Sequence, residues 1–202
     1  MRKKSHISLA MYLVRELKLE GLEKHKKAFC FGSILPDLTP KMLASPHEFE
    51  TTYSDIQDFV RYIFTEGIDD EWKERVLWRR LGVVLHYMAD YFTFPHNTSF
   101  EGNLKDHCLY ESEMKYCLRA YVWTPEANRI FREAGRRAQG ITSLEALFAY
   151  VESSHRRYMR AEHSVEDDCR QILSVCTTVF LVLVEMAYAE NMVVETPGYR
   201  CA

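Results

Sequence analysis

The chain has 202 residues, with 26 Lys and Arg against 29 Asp and Glu, a net charge of −3 and 47% hydrophobic residues. That is enough chain for one compact domain with a sizeable core, and the composition is ordinary for a soluble globular protein. The slightly acidic balance supplies no global basic field, so there is no strong nucleic-acid signal.

The N-terminal MRKKSHISLAMYLVRELK is basic, then apolar. Arg15 and Glu16 interrupt the apolar run before it reaches signal-peptide length, and no small-residue cleavage site follows. It reads as an amphipathic helix over 5–18, which implies a cytoplasmic location. Further helices are expected over 22–31, 46–65, 69–92, 102–121, 125–137, 143–158 and 165–190. Ser45-Pro46-His47-Glu48 has the form of a capping box with proline at the first helical position. Thr124-Pro125 repeats the cap-then-proline signal. Thr142-Ser143-Leu144-Glu145 is a second capping box, and Ser164-Val165-Glu166-Asp167 a looser one. Ile172–Val184 is an uncharged run of 13 residues, shorter than the roughly 20 a membrane span needs. It fits a central helix that is apolar all round, and no transmembrane segment is expected. Strand signals are scarce: there is no sustained two-residue alternation and no Asn-Gly or Asp-Gly hairpin. The expectation is a single all-α, multi-helix domain over 1–202.

The six cysteines, Cys30, Cys108, Cys117, Cys169, Cys176 and Cys201, form no CxxC pair, which fits thiols in a reducing compartment. The eight histidines carry more information, because imidazole is the commonest protein ligand of zinc. In LHYMADYFTFPHN, residues 85–97, His86 and Asp90 are four apart, so a helix puts both on one face, one turn apart. His96 follows after Pro95. The next helix repeats the pairing with His107 and Glu111. Upstream lie His6 in the first helix, Asp37 in the loop GSILPD, and His47 at the start of the third long helix. A lone His–acid pair is usually a simple hydrogen bond. Here the flanking Leu85, Met88, Phe92 and Phe94 imply that His86 and Asp90 face inward, where unpartnered polar groups are costly. Other metal patterns fit worse. Di-iron helix bundles use Glu-x-x-His, HExxH is absent, and the only adjacent acid–His pair is the reversed Asp106-His107. His25, His155 and His163 read as surface or structural residues. Trp72 and Trp78 read as packing, and the basic runs 24–27 and 155–160 as solvated faces.

The order His6, Asp37, His47, His86/Asp90, His96, His107/Glu111 resembles the bacterial zinc-dependent phospholipase C family, whose all-helical fold is shared with P1-type nucleases. The resemblance implies that Asp37, His47, His86 and Asp90 hold one zinc and that His96, His107 and Glu111 hold a second. A third would lie between Asp90 and His6, so two to three ions are expected. The family completes that third site with an N-terminal tryptophan; this chain has Met1-Arg2-Lys3-Lys4-Ser5 ahead of His6. Secreted members often place an aromatic after the loop aspartate, where this chain has Leu38. The family's chemistry is phosphoester hydrolysis, for which zinc polarises the phosphoryl oxygens and lowers the pKa of a bound water to about 7. Asp37 is then the candidate to orient or deprotonate the attacking water. Phe94 and Phe100, flanking His96, are candidates for a substrate wall. The expected substrate is a phospholipid head group or a small phosphoester. A non-catalytic metal-binding or partner-binding domain and a P1-type nuclease remain as alternatives on the same fold.

Overall fold

The computed structural model describes residues 1–39, 47–65 and 71–190, excepting the side chains of 71 and 72. Its elements are α1 (Lys3–Leu17), α2 (Glu20–Lys24), α3 (Lys26–Gly32), a 3-10 turn at Pro36–Leu38, α4 (Phe49–Thr65), α5 (Glu71–Tyr91), a second 3-10 turn at Phe94–His96, α6 (Leu104–Tyr121), α7 (Pro125–Ala138), α8 (Leu144–Tyr158) and α9 (Val165–Ala189). Among the described residues there is no strand, and the fold is all-α.

α9 is the central helix. It packs against α5, α6, α7 and α8, and every residue from Val175 to Val184 is buried. Each large apolar side chain so buried is worth about 1.5–3 kcal/mol. The apolar run of the sequence is therefore the middle of a longer helix. By length and composition alone, this 25-residue helix is apolar enough to cross a membrane; 72% of its most apolar window is buried in the protein. α1, α3 and α5 form a second packed group, and α1 also lies along α6.

The crossing of α3 and α5 depends on two glycines. A Cβ on Gly32 would collide with the Arg79 carbonyl, and one on Gly82 would collide with the Phe29 carbonyl and lie 2.8 Å from Ser33 N. Only hydrogen at both positions lets the backbones touch. That contact brings the end of α3 against the His86 turn of α5.

Several expected boundaries move. The stretch expected as one helix over 22–31 breaks at His25 (φ −105°, ψ 16°) into α2 and α3. His25 is buried there, its Nε2 3.5 Å from Glu74 Oε2. Ser45 and Pro46 of the expected capping box lie outside the described residues; α4 begins at Phe49, so His47 precedes the helix instead of sitting in its first turn. The expected cap at Thr142 is made by Ser143, whose hydroxyl accepts from Ala146 N–H at 3.1 Å. Thr124 and Ser164 cap as expected, accepting from Ala127 and Asp167 N–H. A capping box absent from the sequence reading starts α6. Asn103 Oδ1 accepts from Lys105 and Asp106 N–H, and Asp106 accepts from Asn103 N–H. It fixes the first turn of the helix that carries His107. Trp78 is fully buried against Phe180, as packing; the Trp72 side chain lies outside the described residues.

Candidate metal centre

Six segments bring the eight expected donors to one place: α1 (His6), the 36–38 turn (Asp37), the stretch leading into α4 (His47), α5 (His86, Asp90), the 94–96 turn (His96) and α6 (His107, Glu111). Asp90 is at the middle and is fully buried. Its two oxygens face different neighbours. Oδ2 lies 3.0 Å from His47 Nδ1 and 3.2 Å from His86 Nε2. Oδ1 lies 3.3 Å from His6 Nε2 and 2.5 Å from the Met1 amine. Asp37 Oδ1 stands 4.0 Å from His86 Nε2, and the rings of His6 and His86 stack at 4.0 Å.

A second cluster adjoins the first. Glu111 Oε1 lies 3.1 Å from His96 Nε2 and 3.3 Å from His107 Nε2. The Met1 amine joins the two clusters, 2.8 Å from His96 Nε2 and 3.3 Å from Glu111 Oε1. His6, His86 and Asp90 are at most 1% exposed, whereas His107 is 28% exposed and Asp37 17%. The centre is therefore closed on its α1/α5 side and opens at Asp37 and His107. Phe100 lies near His107 (ring centroids 6.2 Å), and its edge meets Phe94, which stacks on His163 at 4.0 Å. Both phenylalanines are half-buried beside the opening.

The donors are held from behind. His86 Nδ1–H donates to the Ser33 carbonyl at 2.9 Å, which leaves Nε2 as the lone pair directed at Asp90. The turn bearing His96 is tied at several points. Asp168 of α9 accepts from Phe94 N–H (2.8 Å), Tyr110 OH (2.9 Å) and Tyr158 OH (2.7 Å). Asn97 donates to the Thr93 carbonyl at 3.1 Å and accepts from His155 Nε2 at 2.9 Å. His155 and His163 are thus structural.

A search for matching families returned one described as zinc dependent phospholipase C, whose model matches residues 5–165. The chain belongs to the zinc-dependent phospholipase C family. No curated protein and no solved structure matched it. The all-α architecture is that of the phospholipase C and P1 nuclease type.

The donor set fits the zinc that the phospholipase C family uses. All its protein side-chain donors are imidazoles and carboxylates, both ordinary zinc ligands. Both ring nitrogens of His6 are buried without a hydrogen-bond partner. Leaving such an atom unsatisfied costs about 1–3 kcal/mol, which a cation bound at Nε2, the nitrogen facing Asp90, would recover for that atom. The protonation states agree. Burial, then the neighbouring His86, push His6 down to about 3, and burial with the Met1 ammonium pushes His96 down as well. Both are therefore neutral at pH 7, the form that binds metal. Burial opposes ionisation of Asp90, yet the adjacent Met1 ammonium above all holds its carboxyl well below the usual range. Burial also opposes ionisation of Glu111, but hydrogen bonds from His107 and His96, with the Met1 charge, hold its carboxyl far down.

Three contributors escaped the sequence reading. The Met1 amine stands on the His6 side of Asp90. Ser33 contributes only a backbone carbonyl, which no residue pattern reveals. Asp168 reads as one of three acids in the first turn of α9, where helix N-termini favour acids anyway.

Proposed function

We propose that this chain is a zinc-dependent phosphoester hydrolase of the phospholipase C kind, acting on a phospholipid head group or a small phosphoester. The observation that carries the reading is the buried His6, with neither ring nitrogen hydrogen-bonded, facing an ionised Asp90 that His47, His86 and the Met1 amine also contact. His47, His86, Asp90 and Asp37 would hold one ion, and His96, His107 and Glu111 a second. His6 and the other oxygen of Asp90 would hold a third. When bound, zinc supplies Lewis-acid polarisation of the phosphoryl group and a water acidified to about pKa 7. The protein's own part is positional. The Ser33 carbonyl keeps His86 in one tautomer, and Asp90 offers one oxygen to each side. Asp37, at the opening, is placed to accept a hydrogen bond from an attacking water. Phe94 and Phe100 border the approach and shed water from it. We place the protein in a reducing compartment, because Cys30, Cys108, Cys117, Cys169 and Cys176 are all unpaired.

Elemental analysis of the purified full chain is expected to give two to three zinc equivalents. The loaded protein should cleave at least one of bis-p-nitrophenyl phosphate, a soluble phosphocholine ester and a phosphomonoester, and Asp37→Asn should slow that cleavage with zinc retained. Fewer than one equivalent after refolding with zinc would sink the metal reading. A fully loaded protein inert on all three would leave a metal-binding module, and preference for single-stranded DNA would make it a nuclease.

A further inference from the structure

Outside the metal centre, the most unusual surface lies between α1 and α6. The outward stripe of α1 is Lys4, Ile7, Ser8, Met11 and Arg15, at helical spacing, followed by Lys18 at its C-cap. A purely solvated face in a chain with more acids than bases would mix the two signs. Opposite, α6 and the turn behind it present Leu109, Tyr116, Arg119 and Trp123. Leu109, Tyr116 and Trp123 are 58%, 65% and 72% exposed, among the most exposed large hydrophobic residues described. A groove of about 650 Å³ separates the two helices, with Ile7 and Met11 on one wall and Arg119 and Trp123 on the other.

Most of the positive charges on this face are uncompensated. Lys4, Lys18, Lys115 and Arg119 form no ion pair among the described residues, while the two acids at its edge are engaged: Glu16 with Arg15 at 2.7 Å and Glu23 with Lys26 at 2.9 Å. Arg15 lies over the Trp123 ring at 3.9 Å, and Lys115 over Tyr116 at 4.0 Å. Exposed Trp and Tyr interleaved with aliphatics and cations is the composition of a membrane interface. There the rings sit among head groups, and Lys and Arg meet anionic phosphates. A soluble protein partner would also tolerate the apolar groove. The cationic excess of the rim, where Glu16 and Glu23 are both ion-paired, on a protein whose net charge is −3, favours an anionic surface.

We propose that the α1/α6 face docks the protein onto an anionic phospholipid bilayer. The same two helices carry His6, His107 and Glu111, so docking would hold the metal centre beside lipid. That consequence rests on the phosphoesterase reading; docking itself does not.

The test is co-sedimentation of the zinc-loaded full chain with phosphatidylcholine vesicles, with or without phosphatidylglycerol, alongside hydrolysis of a soluble phosphoester. Binding is expected only with phosphatidylglycerol, and it should weaken as salt rises. Lys4→Glu and Arg119→Glu should each weaken it by on the order of fivefold. Met11→Ser and Trp123→Ser should weaken it further, Trp123→Phe should restore it, and soluble-ester turnover should stay unchanged throughout. Absence of binding to the anionic vesicles overturns the proposal. So does binding indifferent to these substitutions, or a face whose only response to them is loss of self-association in sedimentation velocity. Vesicle binding by a protein inert on the soluble ester would support docking and sink the phosphoesterase reading alone.

Discussion

Asp90 sits between two histidine sets, and its charge matters more than its shape. In Asp90→Asn the amide keeps one acceptor oxygen but cannot neutralise the Met1 ammonium or serve two cation positions. The variant is expected to lose at least one zinc equivalent by elemental analysis, and soluble-ester hydrolysis by on the order of 100-fold. Asp168 is a different case. Burial raises its carboxyl to about 6, against the hydrogen bonds from Phe94 N–H and the two tyrosines. Because its folded pKa lies above its unfolded value near 4, its stabilising contribution is full below about pH 4 and is lost as pH rises through about 6. Asp168→Asn should remove that slope, on the order of 2 kcal/mol, when melts of the two proteins are subtracted between pH 4 and 7. At every pH the amide group also faces a donor, at a cost of about 1–3 kcal/mol. At this scale the side-chain donors were legible in the sequence, because i, i+4 spacing on an apolar helix admits few other readings. Ser33, Asp168 and the Met1 amine were not. A backbone carbonyl has no residue signature, a first-turn acid has an ordinary explanation, and an amine's position depends on how α1 docks.

Among the elements, the α3–α5 crossing does most to position the buried half of the site. Gly82→Ala puts a methyl into the Phe29 carbonyl and against Ser33 N. The expected cost is about 1–3 kcal/mol, read as a lower melting temperature. The Ser33 carbonyl would also be pushed from His86, so zinc affinity measured by competition with a chelator should fall by on the order of tenfold. A fall in melting temperature with unchanged affinity would show that the crossing serves stability alone. Helix existence was readable from the apolar periodicity, while the ends were less so. His25 divides a stretch whose pattern runs on unbroken, because the break is made by burying His25 beside Glu74, a tertiary contact. The short turn at Phe94–His96 was readable only as a loop after α5. Its shape is imposed from α8 and α9.

For the whole molecule, the metal centre is a node joining six segments, so ligand binding and folding are linked. Removing zinc with a chelator should lower the melting temperature, and restoring zinc should raise it with the logarithm of free concentration. A melting temperature indifferent to zinc would mean that the donors are prearranged without help from the ion. The all-α class and the central helix were visible in composition and in one long apolar run. How α9 supports the site was not, since it depends on which side chains meet across as many as 74 residues of chain.

Asp168 also decides whether the centre can be excised. All eight donor residues lie between His6 and Glu111, and the family match ends at residue 165. A fragment trimmed to those donors looks complete on paper. It would lack the carboxylate that grips Phe94, Tyr110 and Tyr158, and the imidazole that holds Asn97. The His96 turn would then have nothing behind it. The smallest autonomous unit that can keep this centre in shape must therefore run through the central helix, well past its last ligand.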